Sequence, residues 1–227
     1  VYWSLVSAAV AGPLGPLVED VLPLVEVSAP TGTCDRDWPY ELVRLPTSDF
    51  WVEFRPEHAW GTPVMVHVLE HAVNRLALHH PGSPPLLVGD IAREQGGALP
   101  PHRTHDDGRS ADIGLFGWSG RVEDLHGGFP RLAPSQLDVE RTWAVMDALL
   151  ATGEVEHILL DQAHIDRIRG WLLETGRKTP DELARIFPDR DGMFSWSMTG
   201  IVRHAPNHAD HLHVRVRCGE LPPFPGT

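Results

Sequence analysis

The chain of 227 residues fits one domain, and its 42 % apolar and 22 % charged residues are the balance of an ordinary globular protein. Thirty-one acidic against nineteen basic residues leave a net charge of −12, a surface that repels phosphate backbones and anionic lipid and so argues against nucleic-acid and membrane partners. The most apolar stretch, 1–27, is interrupted by Pro13, Pro16, Glu19, Asp20, Pro23 and Glu26; no membrane span is expected there, and the positive n-region of an intact signal peptide is absent.

Residues 1–58 read as a partly irregular lead-in, 59–218 as the main domain and 219–227 as a tail. Cys34 and Cys218 are the two cysteines; they could pair in an oxidising compartment or both be free. Without a C-x-x-C pair, a cysteine-based zinc or redox centre is excluded. Within the domain, Met65, Leu69, Val73 and Leu76 are spaced as one face of a helix over 63–78, stopped by His79-His80-Pro81-Gly82. A buried strand is expected at 86–91, a long Gly- and Pro-bearing loop to about residue 110, and a strand at 111–116. Ser135 and Asp138 flank the start of a helix that ends near Gly153. A short strand at 157–160 precedes a helix from about 163 to 175, closed by Gly176. Thr179-Pro180-Asp181-Glu182 is a capping box with proline at the first helical position, and the last strand is 212–217. Short strands and helices that do not alternate regularly predict an α+β fold: a small central antiparallel sheet with flanking helices and long loops.

The histidines carry the chemistry. His204, His208, His211 and His213 fall within ten residues, where 14 histidines in 227 would place roughly 0.6 at random. In the final strand Leu212, Val214 and Val216 alternate with His211, His213, Arg215 and Arg217, so both histidines share a face about 6–7 Å apart. One can bind a metal while its neighbour reaches a metal-bound water. A second cluster runs from His102 through His105, Asp106, Asp107, Gly108 and Arg109 to Asp112. Its Asp-Gly turn lets a loop histidine and a strand carboxylate converge on one ion. Two imidazoles and one carboxylate leave a fourth tetrahedral position open, the arrangement of a catalytic zinc.

His-x6-Asp followed far downstream by His-x-His resembles the signature of zinc peptidases of the lysostaphin, D-Ala-D-Ala metallopeptidase and hedgehog type. Within that group the chain is similar to the penicillin-insensitive murein endopeptidases, through Ala59-Trp60-Gly61-Thr62-Pro63, Leu87-Val88-Gly89-Asp90-Ile91, the loop from Gly96-Gly97 to Ile113, and His208-Ala209-Asp210-His211-Leu212-His213-Val214-Arg215 with Cys218. The resemblance implies one zinc per chain held on the sheet face by His105, Asp112 and His213. It implies His211 as general base and His102 and His208 as further active-site histidines. It also implies peptide stems of peptidoglycan as the partner, hydrolysis of D-Ala to meso-diaminopimelate cross-links, and a periplasmic or cell-wall location. Two positions depart from the family: Ser110 stands where an acidic residue is common, and Asp106 where glutamine is. Cys218 matches a family cysteine but has no second cysteine close after it. The alternatives are a D,D-carboxypeptidase or dipeptidase on the same metal, or a non-catalytic zinc-containing cell-wall binding module. The preference between D,D and L,D bonds and the oligomeric state stay open.

Three rival motifs weigh less. His67-Val68-Leu69-Glu70-His71 fits H-x-x-E-H, yet it lies on the helix face opposite the apolar stripe and reads as a solvated face. Gly117-Trp118-Ser119-Gly120-Arg121 lacks the last glycine of a nucleophile elbow. A serine D,D-peptidase needs Ser-x-x-Lys, and the only lysine, Lys178, has Thr175 three before it.

Overall fold

The computed structural model describes residues 41–119, 128–187 and 200–218. Cys34, and with it the pairing of Cys34 with Cys218, lies outside the described residues, as do Gly120 and Arg121 of the elbow-like motif and the tail 219–227.

The chain mixes α and β structure. Strands β1 (Val43–Arg44) and β3 (Trp60–Gly61) form a two-stranded antiparallel sheet. Six more strands, β2 (Trp51–Glu53), β4 (Leu86–Val88), β5 (Ser110–Gly114), β6 (Val155–Leu160), β7 (Val202–His204) and β8 (His211–Val216), make one sheet in the order β2-β4-β5-β8-β6-β7. The expected antiparallel sheet is present in its middle, where β4, β5, β8 and β6 pair antiparallel. The whole is mixed, because β2 pairs parallel with β4 and β7 parallel with β6. Parallel neighbours need crossover connections, and helices provide both: α1 (Pro63–His79) between β2 and β4, and α3 (Gln162–Glu174) with α4 (Pro180–Ile186) between β6 and β7. Strands β1 and β2 lie before residue 59, so the sheets draw on the stretch read as a lead-in.

Local chemistry explains the helices. Thr62 caps α1 by accepting from the Met65 amide at 3.2 Å, with Pro63 at the first turn. Asp138 caps α2 (Val139–Ala151) through the Arg141 amide, and Asp161 caps α3 through that of Ala163. At α4, Thr179 and Glu182 exchange the two bonds of a capping box, at 2.7 and 3.3 Å. Met65, Leu69, Val73 and Leu76 of α1 are buried with Met146 and Leu149 of α2 against Leu86, Val88, Ala111, Ile113, Leu212, Val214 and Val216 of the sheet. Because side chains alternate along a strand, Ser110, Asp112 and Gly114 of β5 and His211, His213 and Arg215 of β8 face away from that core. Among the described residues no helix is long and apolar enough to cross a membrane.

Candidate metal centre

Strand register brings the two sequence clusters together. Asp112 lies directly opposite His213, and Gly114 opposite His211. The loop before β5 folds back so that His105 Nε2 reaches His213 Nδ1 at 3.1 Å and Asp112 Oδ1 at 3.2 Å. His213 Nδ1 and Asp112 Oδ1 are 2.8 Å apart. All three residues are buried. His102, on the same loop, has its Nδ1 3.7 Å from Asp112 Oδ2. Among the described residues, His102, His105 and Asp112 form a group that could hold a metal ion, their donor atoms lying within 4.8 Å of one another. The triangle of His105, Asp112 and His213 is tighter.

Backbone contacts fix the geometry. The short run 89–92 acts as a template: the Gly89 amide donates to Asp112 O, the Asp112 amide to Asp90 O, and His105 Nδ1–H to Ile91 O at 3.0 Å. A carbonyl only accepts, so the His105 proton on Nδ1 is fixed and Nε2 is the ring atom turned toward Asp112 and His213. On the far side of His213, Nε2 lies 3.1 Å from Thr104 Oγ1. Burial pushes the His213 imidazole down to about 4, against the pull of Asp112. Burial pushes the Asp112 carboxyl up, but the His105 and His213 imidazoles beside it outweigh burial and hold the group well below the usual carboxylate range. A neutral His213 imidazole beside an ionised Asp112 carboxylate is the pair of protonation states that ligation of a cation requires.

Three further histidines, His211, His208 and His102, lie around this centre. His211 donates Nδ1–H to Asp210 at 2.7 Å, which turns Nε2 toward the site, 3.7 Å from Asp112 Oδ1. His208 donates Nδ1–H to Pro206 O, its ring 4.9 Å from that of His211 and 5.8 Å from that of His213. Burial lowers its pKa. His102 donates Nε2–H to Asp90 at 3.0 Å, and this bond raises its pKa against the effect of burial. The structure therefore brings together every site residue expected from sequence.

The sequence reading assigned no role to Asp90, a second buried carboxylate, which also receives His58 Nδ1–H at 2.7 Å and the Arg55 guanidinium. Burial pushes it up, yet the His102 and His58 bonds and Arg55 bring it to about 2. A charged residue closing the apolar run Leu86-Leu87-Val88-Gly89 was the signal available for it. Thr104 carried none, because it acts only through a partner remote in sequence, His213. Ser110, one of the two family departures, accepts from Arg215 Nη1 at 2.9 Å. The helical His67, Glu70 and His71 stand apart from the centre, on a face of α1 outside its buried set. Compared with known proteins, the chain matches no family model and no curated sequence.

Proposed function

We propose that this protein is a zinc-dependent peptidase that hydrolyses the peptide cross-links of peptidoglycan, with His105 Nε2, Asp112 Oδ1 and His213 Nδ1 as metal ligands. The observation that carries the reading is the size of that triangle: 3.1, 3.2 and 2.8 Å. A tetrahedral zinc with bonds of about 2.0–2.1 Å needs donors about 3.3 Å apart. One carboxylate and two imidazoles, one of them donating its far nitrogen to a backbone carbonyl, suit zinc and leave a coordination position open. His102 is assigned to the surroundings of the metal, because Asp90 already holds its Nε2 and its Nδ1 lies 3.7 Å from the nearer carboxylate oxygen.

Bound there, zinc supplies Lewis acidity toward a scissile carbonyl and lowers the pKa of water to about 7. The protein's own groups handle the protons. His211, oriented by Asp210, takes a proton from the attacking water on Nε2 and returns it to the amine leaving group. His102 and His208 line the approach to the same centre and offer hydrogen bonds to substrate. The choice of peptidoglycan stems, and of a periplasmic or cell-wall setting, rests on the resemblance of the 59–218 motifs to murein endopeptidases. Digestion of purified sacculi by the zinc-loaded protein, with products identified by mass, tests it. Uncross-linked stems, read as monomeric muropeptides after a muramidase cuts the glycan, are the expected result, and products shortened only by a terminal D-alanine would replace endopeptidase with carboxypeptidase.

A further inference from the structure

Phe129 follows the glycine at 128 in a loop, and its ring lies on the sheet face that carries the metal centre. It stacks on His211, with ring centroids 5.2 Å apart and planes 23° from parallel, and meets Phe54 edge-on at 5.0 Å. Two glycines make room for it. A Cβ on Gly89 would come within 2.7 Å of Phe129 Cζ, and a Cβ on Gly114 within 3.2 Å of its Cδ1. Gly114 is the register partner of His211, so the position across the strands from the histidine is left open and the ring enters there.

The segment bearing Phe129 is anchored from two sides. Buried His164 on α3 donates Nε2–H to Leu132 O at 3.1 Å. Arg131 Nε approaches Asp210 Oδ2 at 3.8 Å, and the other oxygen of Asp210 holds His211 Nδ1. A hydrogen bond at one nitrogen still permits an imidazole to swing about it. A flat ring stacked on its face removes that freedom. Aromatic stacking at such distances favours one rotamer by a few-fold to about tenfold.

We infer that Phe129, seated in the notch of Gly89 and Gly114, is a positioning residue that holds the His211 ring with Nε2 toward the metal centre. The inference rests on the reading of His211 as the proton acceptor. Its test combines ring ¹⁵N–¹H correlation spectra of the metal-free protein with kinetics of the zinc-loaded protein on cross-linked muropeptides. In the wild type His211 should show one set of ring signals with the proton on Nδ1. Phe129→Leu keeps apolar bulk but removes the flat face; it should give exchange-broadened or doubled His211 signals. With zinc, it should lower kcat by a few-fold to about tenfold, as the lost stacking preference dictates, at near-constant KM and full zinc content. Phe129→Tyr, which keeps the ring, should restore both. Should Phe129→Leu fold poorly, Gly89→Ala provides a second route: its new Cβ displaces the ring and should produce the same signals and loss. Unchanged His211 signals and kcat in the folded variants would overturn the positioning role. Full kcat in His211→Ala would instead overturn the base assignment, while the ring spectra still decide whether Phe129 fixes His211.

Discussion

Asp112 is 3 % exposed, so burial alone would favour its neutral form, yet two imidazoles hold it ionised. Such a group is costly to leave unmatched, and the division of labour around it can be tested one side chain at a time. His105→Ala, Asp112→Ala and His213→Ala should each lose zinc markedly by metal analysis; full occupancy in all three would remove the ligand assignment. His211→Ala should keep near-stoichiometric zinc and the wild-type melting profile while losing ~10²–10⁴ in rate, the usual cost of a missing acid–base group. Equal zinc loss in the His211 and His213 variants would remove the division between ligand and base, and activity surviving in His211→Ala would point to His102 or His208 as the base. Asp90 adds a third case. It touches no donor of the tight triangle, but its carboxylate fixes His102 and its carbonyl takes the Asp112 amide. Residues in this supporting position typically change metal affinity by 10–100-fold. Asp90→Asn keeps the backbone bond and should weaken zinc by that order in a chelator-competition titration, and an unchanged affinity would confine Asp90 to folding.

Elements decide what could be read in advance. In β8 the alternation of Leu212, Val214 and Val216 with His211, His213 and Arg215 runs for six residues, long enough for the period of two to show, and Asp112 was legible because it lies in the strand that follows an Asp-Gly turn. The three-residue strands β2 and β7 are too short to show any period, and their parallel pairing is set by crossover helices rather than by a local turn. That is why the sheet was expected to be smaller and wholly antiparallel. Contacts between remote segments, such as Asp90 with His102 or Thr104 with His213, leave no periodic trace at all. One of these contacts ties an element to the site. Arg215 on β8 donates to Thr104 O and Asp107 on the His105 loop, and to Ser110. Charged hydrogen bonds of this kind contribute about 1.5–3 kcal/mol. Arg215→Met should therefore lower thermal stability and loosen zinc together, because it frees the loop that delivers His105. A lower melting temperature with unchanged zinc affinity would show that the loop is held by other means. On α1 the same logic gives the opposite expectation: replacing His67 and His71 with Gln should leave zinc content and hydrolysis unchanged, and loss of metal there would move the site to the helix.

At the scale of the molecule, the helices and the aliphatic face of the sheet make one core, while the other face collects the ionisable groups. The candidate ligands come from a loop, from β5 and from β8, with Asp112 and His213 101 positions apart in sequence. A cation gripping all three binds only the folded chain, so its binding free energy adds to folding stability. The gain follows mass action: at a free zinc concentration one hundred times Kd it is about 2.7 kcal/mol. For a domain of 150–250 residues each kcal/mol shifts Tm by about 2–4 °C, which makes roughly 5–11 °C in total. Zinc-loaded protein should thus melt several degrees above protein stripped with a chelator, and readdition of zinc should restore both Tm and hydrolysis. The gain should vanish in His213→Ala, which separates binding at this centre from loose association with the many surface carboxylates of a chain carrying −12 charge. A chelator that abolishes hydrolysis should be matched by complete indifference to β-lactams, because no serine stands three residues before the single lysine, Lys178. Equal melting temperatures with and without zinc, or covalent labelling of any serine by a fluorescent penicillin, would each remove the metal from the centre of the mechanism.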